Sequence, residues 1–343
     1  MDQLDKRWRP QTANDTDHKT FLKESKIMKK VISLILAVLM MASLMIGCGN
    51  SADDGTVKIA IVQQLDHSSL DEIRLAIEAE FASTDYIVKV YNGQNDASVM
   101  NQIGTEIMSE GFDMIIPIAT TAAQIMVTAA DGNVPIVFAA VSDPAGNGLT
   151  GMDNVTGTSD ALNTAFILEM MLAVNPGIQT VGLLYSNSEP NSETPIAEAK
   201  AILDDKGIAY IEKTGNTSGE IIEAASALVG RVDAVFTPTD NAVMAAESSV
   251  AEILNNAGIP HYAGADSFVQ AGAFATCGVN YTELGTYTAK MALDILSGGQ
   301  IPQFHVMDGG IITVNTETAA ALNLDYSSFS SMANTVVEVT TGE

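Results

Sequence analysis

Cysteine is nearly absent: the 343-residue chain has two, Cys48 and Cys277. Cys48 falls in an export-type segment, so Cys277 stands alone and no intrachain disulfide is available to the rest of the chain. In "ATCGVNY" it reads as a small buried residue. Histidine is almost as scarce, with four in all, and His67 has no partners at metal-ligand spacing. The sequence contains no zinc-type cysteine or histidine spacing, no Walker loop and no GxGxxG after a strand. No Ser/His/Asp set or paired acid/base carboxylates stand at plausible sites either, so neither enzyme chemistry nor a cofactor is expected. Basic residues are few, 16 Lys and Arg against 42 Asp and Glu, for a net charge of −26. The first 47 residues hold eight Lys and Arg against five Asp and Glu, a net of +3, which leaves −29 for the remainder. A surface that acidic excludes nucleic acid as a partner, since phosphate binding needs basic residues.

Long apolar runs are also missing, with one short exception. In "MKKVISLILAVLMMASLMIGC" (28–48) two lysines precede an apolar stretch from Val31 to Ile46. The stretch is shorter than the roughly 20 residues a spanning helix needs, and the layout is that of an export signal. Its end, "LMIGC", is similar to a bacterial lipobox, which would make Cys48 the lipidated first residue of the mature chain. Met45 stands where Leu is usual, and plain secretion or a retained anchor is the alternative. Residues 1–27 are polar and precede Met28, so they read as an upstream mis-start, with 28–47 as signal peptide. The segment "GNSADDGT" then makes 48–56 a flexible tether.

What remains is rich in alternation. "TVKIAIVQ", "YIVKVYNG", "FDMIIPIA" and "VPIVFAAV" are strand-like runs, and "SSLDEIRLAIEAEFAS", "DASVMNQIGTEIMSEG" and "TTAAQIMVTAADG" between them have helical periodicity. Near-continuous Val and Ile suit strands buried on both faces. The same rhythm restarts after "NVTGTSD" and runs through "TVGLLYS", "IAYIEKTG", "VDAVFTPT", "IPHYAGAD" and "AFATCGVNY" with helices between. Two such units predict an α/β protein of two lobes, each a parallel sheet flanked by helices. The expected division is lobe one at 57–160 and 282–325, lobe two at 161–281 and a C-terminal tail at 326–343. The hinge is expected near 157–162, with a return crossing near 278–283.

Ligands of open parallel sheets bind beyond the carboxyl ends of the strands. Here those ends collect small polar residues: "QQLDHSSLD", "IATTAAQ", "AVSDP", "YSNSEPNS", "TPTDN" and "GADSF". Helix N-termini facing a cleft would hold a carboxylate, and Asp or Glu from the opposite lobe would hold an ammonium group. Each residue also has a plainer reading. Thr120, Thr121, Asp240 and Asn241 could be caps only, Asp143 with Pro144 a turn, Asp266 the opening of a loop, and Glu189 and Asn191 solvent-facing.

Taken in order, "KIAIVQQLDHSSLDEIR", "DMIIPIATTAAQ", "VPIVFAAVSDP", "NVTGTSD", "TVGLLYSNSEPNS", "VDAVFTPTDN", "GADSFVQAGAFATCGVNY" and "LGTYTAKMALDIL" span most of residues 57–325. Together they resemble the bacterial ABC-transporter substrate-binding lipoproteins of the tryptophan/tyrosine type. The resemblance implies a two-lobed flytrap that closes on a ligand without chemistry. Its partners would be a permease with its ATPase and, through the lipid, the membrane. The ligand would be an aromatic or other apolar amino acid. Matching positions place Thr120, Thr121, Gln124 and Asp143 in the site from lobe one. They place Glu189, Asn191, Ser192, Asp240, Asn241 and Asp266 there from lobe two, and Ser69 as a further candidate. "DHSSLD" departs from the family's commoner His-Pro, with Ser68 at the proline's position. Aromatic walls could come from Phe138, Tyr185, Phe236 or Phe268. A nucleoside-binding lipoprotein, or a surface sensor or adhesin on the same fold, remains the alternative reading.

Overall fold

A computed structural model describes residues 55–342. The expectations for the upstream segment, the signal peptide, Cys48 and most of the tether therefore lie outside the described residues. Thirteen strands occur among the described residues: β1 Lys58–Gln63, β2 Ile87–Asn92, β3 Met114–Ile118, β4 Ile136–Phe138, β5 Val155–Ser159, β6 Thr180–Tyr185, β7 Ala209–Thr214, β8 Ala234–Thr237, β9 His261–Ala263, β10 Ala275–Gly278, β11 His305–Val306, β12 Ile311–Asn315 and β13 Thr335–Val339. They form a six-stranded sheet, β11-β5-β4-β3-β1-β2, and a seven-stranded sheet, β13-β12-β10-β9-β8-β6-β7. The first is parallel throughout its pairings. The second is parallel except where β12 runs antiparallel to β10, with Ala275 opposite Val314.

Both sheets share one winding. The chain starts at an inner strand (β1, β6), steps outward to one edge (β2, β7), then crosses back to build the other side (β3 onward, β8 onward). The switch point of such a sheet leaves a crevice at the strands' carboxyl ends. The inner strands are apolar because both faces are covered: β3, "MIIPI", is buried at every residue.

Helices on lobe one are α1 Ser68–Phe81, α2 Ala97–Glu110 and α3 Thr120–Ala130. Lobe two carries α4 Thr164–Val174, α5 Glu193–Lys206, α6 Ser218–Ser226, the short α7 Asn241–Met244, α8 Glu247–Asn256 and α9 Asp266–Gln270. The helical stretch between β8 and β9 is thus in two pieces, interrupted at Ala245–Ala246. Helix α10, Tyr281–Leu296, returns to lobe one and packs along α1. The approach is close at Gly285, where an added Cβ would stand 2.5 Å from the Ile73 carbonyl oxygen. Gly285→Ala is therefore expected to destabilise the protein by roughly 1–3 kcal/mol through overpacking. Denaturant unfolding reads this, and an unchanged midpoint would mean the two helices separate freely.

The expected lobe boundary needs a correction after β11. That strand ends lobe one's sheet, but the chain then crosses a third time, and β12 joins β10 in lobe two. Beyond α11 (Thr316–Ala321) and α12 (Phe329–Met332), β13 pairs with β12 from Ile311–Thr335 to Asn315–Val339. Residues 311–325 thus belong to lobe two rather than lobe one, and 326–343 contributes a strand where a tail was expected. An apolar run shows that a strand forms, and the open edge of β10 decides which sheet receives it.

Candidate ligand-binding site

A cavity lies between the lobes, walled from both. Lobe one contributes the first turn of α1 (His67, Ser69, Leu70), the start of α3 (Ala119, Thr120) and the ends of β4 and β5 (Ala140, Ser142, Asp160). Lobe two contributes Asn191, the β8–α7 turn (Thr239, Asp240, Asn241), Met244, and Ala265 and Phe268 around α9. Tyr281, at the start of α10, closes the floor.

Three helix N-termini without a side-chain cap reach this wall: those of α1, α3 and the short α9, whose capping position is Ala265. Helices α2, α4, α6 and α10 are capped by the side chains of Asp96, Asn163, Thr217 and Asn280. At α1 and α3 the capping positions are His67 and Ala119, and neither side chain caps. Their first-turn N–H groups are left for another acceptor. The Thr120 and Thr121 hydroxyls are buried without a hydrogen-bond partner, and Thr120 lines the cavity. Ala119 has φ 78° and Ala140 φ 52°, left-handed values that alanine rarely adopts. Both lie at strand ends in the cavity wall, which is where such strain tends to collect.

Two buried carboxyls also reach the wall, Asp160 from lobe one and Asp240 from lobe two. Asp160, just past β5, is buried and accepts from Ser142 Oγ at 2.9 Å and Tyr281 Oη at 3.2 Å. Burial pushes its carboxyl above the ordinary range, against those two donors. Asp240 is fully buried and holds a web of donors: Ser186 N at 2.7 Å, Ser192 Oγ at 2.7 Å and Val243 N at 2.9 Å. The wall contains no Lys or Arg among the described residues.

Of the sequence-stated candidates, Ser69, Thr120, Asn191, Asp240 and Asn241 line the cavity. Thr121 adjoins it on α3. Gln124 lies a turn further along, where its Nε2 donates to Asn147 O at 3.2 Å and holds a lobe-one loop. Asp143 accepts from Gly146 N and from Thr194 Oγ1, each at 2.8 Å, the latter across the lobes. Ser192 stands behind Asp240, and Glu189, 2% exposed, stands behind Asn241. Asp266 faces Glu72 and caps nothing in the wall; burial first and the Glu72 charge second push it up to about 6. Of the aromatic candidates only Phe268 reaches the cavity. Phe138 and Phe236 are core, and Tyr185 donates to Glu212 at 2.8 Å.

Sequence reasoning missed His67, Ser142, Asp160, Thr239 and Tyr281 as wall residues. Ser142 is one position before the chosen Asp143, and Asp160 ends "NVTGTSD", a strand end read only as hinge. The same strand-end argument, applied to every strand, would have found both.

The lobes are shut on one another. Gln64 Nε2 donates to Glu189 Oε1 at 2.9 Å, His67 Nε2 meets Asn241 Oδ1 at 3.0 Å, and Ser69 Oγ donates to Ser267 Oγ at 2.5 Å. Ser142 Oγ meets Thr239 Oγ1 at 3.1 Å. The cavity the lobes leave between them holds about 360 Å³ of space between atoms, its open mouth included.

Two parallel-sheet lobes closing on an interlobe cleft define a periplasmic-binding-protein fold. The chain belongs to the family of ABC transporter substrate binding proteins, whose model matches residues 58–337. It is 30% identical over 321 residues to a tyrosine-binding protein of Clostridioides difficile, covering 86% of this chain and 93% of that one. A Streptococcus pneumonia ABC domain solved in complex with L-Trp is 27% identical and covers 82% of this chain and 100% of its own, with a TM-score of 0.77. A ligand-free, open substrate-binding protein with adhesive properties from Clostridium difficile is 31% identical, with coverages of 83% and 100% and a TM-score of 0.63. The ligand-bound structure superposes better despite its lower identity, in keeping with the closed lobes seen here. The protein is thus the substrate-binding component of an ABC transporter.

Proposed function

We propose that the protein captures a zwitterionic amino acid with an aromatic or other apolar side chain, and delivers it unchanged to its permease and ATPase. One observation carries the ligand class: a single cavity wall holds helix N-termini without side-chain caps and the unpartnered Thr120 hydroxyl together with buried Asp160 and Asp240, and no fixed cation. The first set suits a carboxylate, and the second lacks a positive charge that a ligand ammonium would bring. Leu70, Met244, Phe268 and Tyr281 supply an apolar surface for the side chain. A nucleoside brings no ammonium to Asp160, so the acidic wall favours the amino acid. The names of the tyrosine-binding and L-Trp-bound relatives point the same way.

Binding without turnover fits the placement of catalytic-type groups. His261 meets Glu247 Oε1 at 2.9 Å and Thr237 Oγ1 at 2.8 Å, but all three side chains are fully buried and outside the wall. Attachment by a lipid on Cys48, after removal of an export signal, would hold the lobes at the extracytoplasmic face of the membrane. This part of the reading rests on "LMIGC" and its upstream lysines.

Thermal unfolding with L-tyrosine, L-tryptophan, other amino acids and nucleosides tests the ligand class. A true ligand at a hundredfold excess over its Kd stabilises by roughly 2.7 kcal/mol. A shift with aromatic amino acids is expected; a shift with nucleosides alone would reject the zwitterion.

A further inference from the structure

We propose that Glu189 is a positioning residue whose protonation couples lobe closure, and hence ligand capture, to the uptake of one proton. Glu189 follows β6 and opens the turn Pro190–Ser192. It does not line the cavity, yet two links between the lobes run through it. Its Oε1 accepts from Gln64 Nε2 of lobe one at 2.9 Å, and its Oε2 accepts from Asn241 Nδ2 at 2.7 Å. Asn241 in turn meets lobe one at His67 Nε2, 3.0 Å away. The carboxyl is therefore the node that aligns Gln64 with the Asn241–His67 contact when the lobes meet.

The charges around that node do not balance. Asp240 is the charged group whose field reaches Glu189, and it is an acid. Glu189 takes part in no ion pair among the described residues. His67, reached through Asn241, has its pKa lowered by burial, so it supplies no counter-charge at neutral pH; Asp66 and Asp71 flank it. Two buried carboxyls that feel one another's charge, with no cation beside them, do not both ionise. Burial raises both carboxyls, but Asp240 has backbone and hydroxyl donors that offset it in part, whereas Glu189 has only side-chain amides. The proton therefore resides on Glu189.

The amides of Asn241, Gln64 and Asn191 hold the Glu189 carboxyl down in part, and its burial outweighs them. Burial, and after it the Asp240 charge, push the Glu189 carboxyl up to about 8.

Parting the lobes withdraws Gln64 and admits water, and the carboxyl returns toward an ordinary glutamate value of about 4.3. The closed form has the higher pKa, so it binds more protons than the open form. Closure is favoured below the open-state value and weakens as pH rises toward the closed-state value, by at most about tenfold per pH unit. Asp160 acts with opposite sign, since a ligand ammonium beside it would favour its ionised form.

Two measurements test the proposal, and only the second rests on the ligand reading above. First, Ser69→Cys with Ser267→Cys allows the lobes to be cross-linked shut without ligand, and carboxyl carbon NMR then follows titration. A glutamate midpoint far above the ordinary range, absent after Glu189→Gln, is expected; an ordinary midpoint for Glu189 overturns the proposal. Second, calorimetry with L-tyrosine and L-tryptophan compares pH 6 and pH 8. Wild-type affinity is expected to fall several-fold or more toward pH 8, with a flatter profile for Glu189→Gln and binding at pH 8 at least as tight as wild type. Equal slopes in both proteins overturn the coupling. If neither amino acid binds while the cross-linked protein titrates as expected, the ligand assignment fails and the proton-linked closure stands.

Discussion

Asp160→Asn is expected to remove most of the affinity for an aromatic amino acid while raising the melting temperature of the ligand-free protein. The two effects have one origin. Asp160 is buried, its side-chain partners are the Ser142 and Tyr281 hydroxyls, and burial disfavours its charge. Its folded-state pKa lies above the unfolded value, so the carboxylate destabilises the ligand-free fold at neutral pH, and stability grows as pH falls through the folded pKa. Asparagine is a neutral isostere that keeps an acceptor for Ser142 and offers Tyr281 Oη a partner, so the unliganded protein gains. The ligand ammonium loses its buried counter-charge, a loss of roughly 2–5 kcal/mol, or tens- to thousands-fold in Kd. Calorimetry and thermal unfolding on the same sample read the pair. Full affinity with a raised melting temperature would remove Asp160 from the ligand contacts and leave its burial argument intact.

Asp240→Ala is expected to damage both stability and binding. Its carboxylate satisfies the backbone N–H groups of Ser186 and Val243 and the Ser192 hydroxyl, knitting the β6 and β8 turns together. Buried donors stripped of a charged acceptor lose about 1–3 kcal/mol each, less than additively, so a drop of roughly 3–5 kcal/mol is expected. Affinity should fall at least tenfold, because Asn191 and Asn241 hang from the same turns. Asp240→Asn, which retains one acceptor oxygen, should recover part of the stability. A variant whose unfolding midpoint and Kd both match wild type would refute the structural role and the ligand role together.

Much of the architecture was legible from local pattern. "KIAIVQ" and "MIIPI" mark strands covered on both faces, and the strand–helix rhythm repeated twice announces two lobes. Several of the polar strand ends border the cavity, but the pattern could not say which residue of each end faces it. "AVSDP" contains both Ser142, which lines the cavity, and Asp143, which turns away to bond Gly146 and Thr194. A single residue's rotation at the end of a strand separates the two, and neighbours distant in sequence set that rotation. Tyr281 reaches the floor only because α10 crosses back from lobe two to pack on α1.

The sequence alone determined the periodicity of its elements, the acidic surface, the strand-end clusters and a resemblance carried by ordered stretches, since each depends on residues near one another along the chain. Tertiary structure alone decided that β12 and β13 belong to lobe two, that Glu189 sits behind Asn241, and that Asp160 and the unpartnered Thr120 line one cavity. Those outcomes depend on which open sheet edge accepts a strand and on which lobe closes over a side chain. Such contacts join residues a hundred or more positions apart, as Gln64 and Glu189 do, and no local pattern records them.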